Sequence, residues 1–142
     1  MTYSPHEAPR IYPTFRFRNA TAMLEWLTQT IGFQVLTRYD NDDGTVAHAE
    51  LALGSSIIMC GEVRDDAFGA LVGAPGEQGG KALYIAVEDV DTLFARVSAS
   101  GVKIEEQLTD RSYGSREFIC RDPEGNVWCF GTYWPKAADT QI

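Results

Sequence analysis

The chain has 142 residues, enough for one domain with a hydrophobic core. Its content of 44% apolar and 23% charged residues is ordinary for a globular protein, and its net charge of −8 argues against a nucleic-acid partner because a phosphate backbone would be repelled. No apolar run is long enough to span a membrane and residues 1–9 lack a signal-peptide pattern, so we expect a cytoplasmic protein without membrane contact.

Residues 11–61 contain the pattern of one strand, one amphipathic helix and three further strands. Asn19 is a suitable N-cap, and apolar residues at helical spacing followed by Gly32 predict a helix over residues 20–31. Alternating apolar residues bounded by turn residues predict the strands. The strands are predicted at residues 11–17, 33–39, 45–53 and 56–61.

The same order recurs after a different kind of segment. Residues 62–80 carry glycines at 69, 73, 76, 79 and 80, which predicts a flexible linker. In residues 81–135, Asp89 and Gly101 are the predicted caps of a second helix. The strands of this unit are predicted at residues 82–87, 102–108, 116–121 and 126–133.

Two pairs of glycines show that the units are copies of one another. Gly32 and Gly101 are 69 positions apart, and Gly61 and Gly131 are 70 positions apart. This agreement predicts one α+β domain, residues 1–142, built from two tandem β-α-β-β-β modules. The strongest turn signal is residues 122–126, Asp-Pro-Glu-Gly-Asn, which predicts a hairpin loop whose Asp122 and Asn126 side chains bond the backbone.

The pattern resembles the vicinal oxygen chelate superfamily, also called the glyoxalase/bleomycin resistance/dioxygenase group, over about residues 11–135. The resemblance is carried by the repeated β-α-β-β-β order and by residues 87–91, 101–102 and 121–126. Residues 48–51, 113–117 and 130–133 are similar to a PhnB-like, glyoxalase-like subgroup. The resemblance implies that each mixed sheet curls into a cup with its helix on the outer face, that two cups enclose a site, and that the chain forms a homodimer.

Metal-dependent members of the superfamily place a His or Glu ligand on the first and last strand of each unit. The corresponding positions in this sequence are Tyr12, Met59, Ala82 and Cys129. Because none is His or Glu, we expect no metal and no other cofactor, and we do not transfer the metal-dependent activities.

Strand alternation assigns side chains to the two faces of each sheet. The face away from the helices is predicted to supply a ligand pocket from Tyr12, Arg16, His48, Glu50, Met59, Tyr84, Glu117 and Cys129. The helix side is predicted to form the core from Phe15, Phe17, Ala49, Leu51, Ile58, Cys60, Leu83, Ile85, Val87, Phe118, Trp128 and Phe130.

Several polar residues have two interpretations. His48, Glu50 and Glu117 are either an acid/base or alternative metal site, or exposed side chains that bond each other and solvent. Cys129 is either a nucleophile or, like Cys60 and Cys120, a packed reduced thiol. The arginines are either an anion clamp or partners in surface ion pairs, the candidates being Arg16, Arg111 and Arg116.

The leading prediction is a metal-free protein of the bleomycin-resistance type that binds a small organic molecule in a cupped pocket, with no catalytic residue assigned. The alternative is a metal-dependent lyase, isomerase or dioxygenase of the same superfamily that uses His48, Glu50 and Glu117 as non-standard ligands. A third reading is a structural or regulatory dimer without a ligand.

Overall fold

The computed structural model describes Pro9, Pro75 and residues 11–73 and 80–135. The chain divides into two compact units, Met1–Pro75 and Gly76–Ile142, here called unit one and unit two. The division falls within the predicted linker, of which residues 74 and 76–79 lie outside the described residues. Among the described residues, none of the helices is long and apolar enough to cross a membrane.

Unit one folds as the predicted β-α-β-β-β module with a short helix added after it. Its elements are β1 Thr14–Phe17, α1 Ala20–Trp26 with a π-helical turn Leu27–Ile31, β2 Gln34–Asp40, β3 Val46–Leu53, β4 Ser56–Glu62 and α2 Ala67–Val72. The strand order in the sheet is β1-β4-β3-β2, with β1 parallel to β4 and the other pairs antiparallel. This is the mixed sheet that the sequence predicts.

Unit two repeats the arrangement without the additional helix. Its elements are β5 Leu83–Ala86, α3 Val90–Ala99, β6 Ile104–Asp110, β7 Arg116–Arg121 and β8 Val127–Gly131. The strand order is β5-β8-β7-β6, again with only the first pair parallel among the described strands. Asp89 caps α3 by accepting a hydrogen bond from the Thr92 amide, just as Asn19 caps α1 through the Ala22 amide.

The π-helical turn explains why the two glycine spacings differ by one residue. The predicted helix over residues 20–31 is α-helical only to Trp26, and the Gly32 amide then donates to the Leu27 carbonyl five residues earlier, at 3.0 Å. A wider turn of this kind accommodates one extra residue within a helix. Unit two has one residue fewer between its N-cap and Gly101.

Burial confirms the predicted core face of both sheets. Phe17, Ala49, Leu51, Ile58, Cys60, Phe118, Trp128 and Phe130 are all buried. The remaining predicted core residues, Phe15, Leu83, Ile85 and Val87, are half-buried. In unit two the rings of Phe118 and Phe130 stack with their centroids 5.2 Å apart, and Phe94 meets Phe118 edge-on at 5.1 Å.

The loop before β8 is held by one buried side chain. The Asp122 carboxylate accepts hydrogen bonds from the backbone amides of Glu124 and Asn126 at 2.8 and 3.0 Å. It also accepts from Asn126 Nδ2 and from Trp128 Nε1, both at 2.9 Å. The predicted role of Asp122 is confirmed, whereas the Asn126 side chain bonds Asp122 and not its own backbone.

The predicted linker contains a helix, α2, that was not predicted from the sequence. Asp66 caps α2 by accepting from the Gly69 amide at 2.7 Å, and Arg16 of β1 binds the same carboxylate through two nitrogens at 3.1 Å each. The glycines of this segment do not favour a helix, yet Gly69 fits the close turn at its start. A Cβ at Gly69 would lie 2.3 Å from the Arg64 carbonyl oxygen, so a larger residue would force the main chain of this turn to shift.

Candidate functional site

On the open face of the unit two sheet, four side chains form a row, with one side chain on each strand. Tyr84 on β5 pairs with Cys129 on β8, Cys129 pairs with Ile119 on β7, and Ile119 pairs with Glu106 on β6. Residues directly opposite each other on paired strands project to the same face of the sheet. The row therefore lies on the side opposite the buried Phe118, Trp128 and Phe130.

Glu117 on β7 is the buried centre of this face, with 9% of its surface exposed. Arg111 Nε donates to Glu117 Oε1 at 3.1 Å, and the Tyr113 hydroxyl lies 3.1 and 3.0 Å from the two carboxylate oxygens. Arg111 also forms an ion pair with Glu106. One guanidinium thus links carboxylates from two neighbouring strands.

The protonation state of Glu117 follows from these contacts. Burial alone would raise the pKa of the carboxyl group, but hydrogen bonds from Ser115, Arg111 and Tyr113 outweigh burial and hold the pKa below its usual value. The carboxylates of Glu106 and Glu117 in turn raise the pKa of Arg111 above its usual value. The site therefore contains an ionised carboxylate and a charged guanidinium at neutral pH.

Three tyrosines form a connected group beside the buried carboxylate, which the Tyr113 hydroxyl contacts directly. Tyr113 and Tyr133 are 62% and 52% exposed, and their ring centroids are 6.1 Å apart with planes at 81°. Tyr84 is 38% exposed and its hydroxyl donates to the Tyr133 carbonyl at 2.7 Å. We call Tyr84, Glu106, Arg111, Tyr113, Glu117 and Tyr133 the tyrosine–carboxylate cluster.

Gly131 on β8 makes room for the cluster. It pairs with Glu117 across the sheet, and a Cβ built on it would lie 2.6 Å from both Glu117 Cγ and the Tyr84 hydroxyl oxygen. A separation this short cannot be accommodated without movement of those side chains. The absence of a side chain at position 131 therefore allows Tyr84 and Glu117 to approach each other.

Cys129 lies beside the cluster but does not have the environment of a nucleophile. Burial first, and then the negative charges of Glu117 and Glu106, raise its pKa above the usual value of a thiol. Burial raises the pKa of Cys60 and of Cys120 to about 12. The geometry supports the interpretation of all three as packed, protonated thiols.

We expect the folded protein to resist thiol alkylation. At pH 8, Cys60 and Cys120 should show no modification by iodoacetamide over the time in which free cysteine is fully alkylated, because almost none of either thiol is ionised. Cys129 should react more slowly than free cysteine. Mass spectrometry with peptide mapping gives the rates, and the urea-unfolded chain is the control. A Cys129 that reacts faster than free cysteine would contradict this assignment.

The open face of unit one carries a different set of residues. Thr14, Met59, Glu50 and Thr37 form a row across its four strands. His48 lies opposite Tyr39, and His48 Nε2 is 3.0 Å from Glu50 Oε2. The structure thus brings together three of the predicted pocket residues, His48, Glu50 and Met59, on one half-buried surface.

Two predicted pocket residues of unit one are engaged elsewhere. Arg16 binds Asp66 and lies 4.9 Å above the ring of Phe68, so its guanidinium holds α2. The Tyr12 hydroxyl donates to the Pro9 carbonyl at 2.6 Å. The anion clamp is also unsupported, since Arg111 pairs with Glu106 and Glu117, and Arg116 pairs with Asp91 and Asp110.

The sequence profile of the Glyoxalase/Bleomycin resistance protein/Dioxygenase superfamily matches residues 12–130. The chain belongs to this superfamily. The chain is also similar to an uncharacterized protein of Mycobacterium bovis, with 25% identity over 125 residues that cover 87% of this chain and 82% of the relative. The superfamily predicted from the repeated module is confirmed.

Solved structures support the glyoxalase/bleomycin resistance fold. TioX from Micromonospora sp. ML1 is 28% identical with a TM-score of 0.72, over 89% of this chain and 99% of TioX. The fosfomycin resistance protein FosX from Mesorhizobium loti is 14% identical with a TM-score of 0.64, over 89% of this chain and 92% of FosX. At that identity FosX shows a shared fold alone, and the predicted α+β architecture is confirmed.

The residues at the superfamily's usual metal positions do not fit a divalent ion. Of the four predicted positions, Met59 and Cys129 lie on β4 and β8, whereas Tyr12 and Ala82 stand just before β1 and β5. A thioether, a protonated thiol, a phenol and a methyl group lack the imidazole and carboxylate donors that such ions prefer.

The alternative metal ligands predicted from the sequence belong to different units. His48 and Glu50 lie in unit one, and Glu117 lies in unit two. Glu117 is held within unit two by Arg111 and Tyr113. Across residues 11–73 and 80–135 no group of three or more His, Cys, Asp or Glu side chains is placed to hold a metal ion. The geometry therefore supports only the His48–Glu50 pair.

Sequence patterns identified three residues of the unit two face, Tyr84, Glu117 and Cys129, but not the network around them. Arg111 was considered only as an anion clamp or a surface ion-pair partner, and Tyr113 was not among the pocket candidates, although both lie within six residues of Glu117. No sequence pattern pointed to Glu106, because a bulge in β6 moves its side chain to the other face of the sheet. Ile104 pairs with the buried Cys120, whereas Glu106, two residues later, pairs with Ile119 on the open face.

Proposed function

We propose that this superfamily member binds a small organic molecule, without a metal ion, at the tyrosine–carboxylate cluster of unit two. The observation that carries the proposal is a group of three partly exposed tyrosines connected to a buried carboxylate through the hydroxyl of Tyr113. Binding sites for small molecules combine aromatic contact area with a few fixed polar groups. Here strands β5, β7 and β8 supply the rigid support that such a site requires.

The fold itself does not distinguish binding from catalysis. The superfamily includes glyoxalases, bleomycin resistance proteins and dioxygenases, so one scaffold serves different functions. Within the cluster, Glu117 is a weak base because its pKa is lowered, and Cys129 is a poor nucleophile because its pKa is raised. These groups favour recognition of a ligand over its chemical conversion.

A fragment screen tests the proposal. Aromatic and aliphatic compounds of each charge are examined by thermal shift and by the NMR signals of the tyrosine rings. We expect at least one compound to bind saturably, and Tyr113→Ala to weaken that binding about ten-fold. Tyr39→Ala is the matched control, because Tyr39 is equally exposed but lies on β2 of unit one. Ligands that bind Tyr113→Ala normally would place the site elsewhere.

A second candidate is a metal-dependent enzyme of the superfamily with non-standard ligands. The 3.0 Å contact between His48 and Glu50 is the observation in its favour, since imidazole and carboxylate are metal donors. The test is metal analysis of protein purified without chelator, with thermal-shift titrations of zinc, nickel, manganese and iron(II). A saturable rise in Tm that His48→Ala abolishes would overturn the metal-free proposal.

The homodimer and the cytoplasmic location stay predictions. An assembly of two chains follows from the family resemblance, and sedimentation equilibrium of the purified protein measures it directly. A mass of about twice 15.7 kDa is the expected result.

A further inference from the structure

We infer that the tyrosine–carboxylate cluster recognises a quaternary ammonium group on its ligand. The inference rests on the proposed function and names the chemical class that the cluster would select. Three features of the cluster carry it: its net charge, the hydrogen bonds that already occupy most of Glu117, and the arrangement of its rings.

The charge of the cluster favours a cation. Glu106 and Glu117 contribute two carboxylates, and Arg111 is the guanidinium that both of them contact. One negative charge is therefore left over within the cluster. Because Glu117 is buried, its attraction for a bound cation is screened less than it would be at an exposed position.

Most acceptor positions of Glu117 are already occupied. Arg111 Nε and the Tyr113 hydroxyl contact Oε1, the Tyr113 hydroxyl also contacts Oε2, and the Ser115 side chain supplies a further hydrogen bond. A carboxylate offers about four acceptor positions. A primary ammonium would find few acceptors for its N–H groups here, whereas a quaternary ammonium has no N–H group to satisfy.

The tyrosine rings supply the contact that a quaternary ammonium requires. The planes of Tyr113 and Tyr133 meet at 81°, so the two rings form two walls of a corner, and both remain more than half exposed. Cations are attracted to the faces of aromatic rings, and methylated ammonium groups are commonly held in aromatic cages. The hydroxyl of Tyr113 contacts Glu117, so this ring connects the corner to the buried carboxylate.

Unit one has no counterpart of the cluster, so one site per chain is expected. The strand pairing places Thr14, Thr37 and His48 of unit one where unit two has Tyr84, Glu106 and Glu117. Seventy positions before Arg111, Tyr113 and Tyr133 stand Asn41, Asp43 and Val63. None of these unit one residues is a tyrosine or an arginine. The stoichiometry of binding therefore separates specific recognition from general attraction of cations to an acidic chain.

Choline and its uncharged carbon analogue, 3,3-dimethylbutan-1-ol, are the probes. Each is titrated into the full chain while the tyrosine ring signals are followed by NMR. We expect choline to bind saturably at one site per chain and about ten-fold more tightly than the analogue. Ethanolamine, which carries a primary ammonium, should also bind more weakly than choline.

Variants locate the binding. Tyr133→Leu and Glu117→Gln should each weaken choline binding about ten-fold, and Tyr39→Leu should leave it unchanged. Tyr133 is exposed, so its replacement keeps the test available even where Glu117→Gln disturbs folding. Equal binding of choline to Tyr133→Leu and the unchanged protein would overturn the inference.

Two outcomes separate this inference from the proposed function. If the carbon analogue binds as tightly as choline, or other fragments bind at Tyr113 while choline does not, recognition of a quaternary ammonium is wrong and the binding site stands. If no compound of any charge shifts the signals of Tyr84, Tyr113 or Tyr133, both the inference and the proposed function fail.

Discussion

Replacing Asp122 with alanine should lower the free energy of unfolding by about 3–5 kcal/mol, because several hydrogen-bond donors would lose their acceptor together. Asp122 is 4% exposed and accepts from two backbone amides, the Asn126 side chain and the Trp128 indole. The buried Trp128 N–H has no water to replace the carboxylate. Urea denaturation followed by tryptophan fluorescence measures the change.

Two controls isolate the cause of this loss. Asp42→Ala removes an exposed carboxylate from the turn before β3 and should change the free energy of unfolding by less than about 0.5 kcal/mol. In a Trp128→Phe background there is no indole N–H to leave unpaired, so Asp122→Ala should cost less than in the original chain. Equal costs in both backgrounds would show that Trp128 is not the residue through which Asp122 acts.

Gly131→Ala should both destabilise the fold and disable the tyrosine–carboxylate cluster. The new methyl group would lie 2.6 Å from Glu117 Cγ and from the Tyr84 hydroxyl oxygen, so both side chains must move. Overpacking of this kind costs about 1–3 kcal/mol of unfolding free energy. We expect choline affinity to fall about ten-fold as well, because the displaced carboxylate no longer holds Tyr113.

Gly61→Ala is the matched control, since Gly61 occupies the corresponding position on β4 of unit one. Its methyl group would lie 2.6 Å from the Ala47 carbonyl oxygen, so the main chain of β3 would have to shift. We expect a loss of about 1–3 kcal/mol with unchanged choline affinity of the folded protein. A Gly131→Ala variant that keeps full affinity would show that the cluster does not depend on this close approach.

The parts of the fold that depend on local chemistry were predictable from the sequence. Asn19 and Asp89 cap helices with their own side chains, and Gly44, Gly114 and Gly125 adopt the positive φ that their turns require. Strand alternation then separated the buried face from the open face in both units. These signals involve neighbours in sequence, so no knowledge of strand pairing was needed.

The features that were missed depend on distant contacts or on exceptions to a regular period. The bulge at residue 105 brings Glu106 to the open face, and its pairing with Ile119 follows from the register of two strands. Helix α2 depends on the ion pair between Arg16 and Asp66, fifty residues apart. Its glycine-rich sequence gave no sign of a helix.

The π-helical turn at Leu27–Ile31 has a consequence for how the two halves of the chain diverge. An added residue normally rotates everything that follows it in a helix by about 100° and carries the next strand out of alignment. Here the wider turn takes up the insertion, and the spacing of the two copies is 70 residues at Met59 and Cys129, which occupy matching places in the two sheets. Duplicated halves of such a protein can change in length at the helix while their sheets, and any recognition surface built on them, remain superimposable.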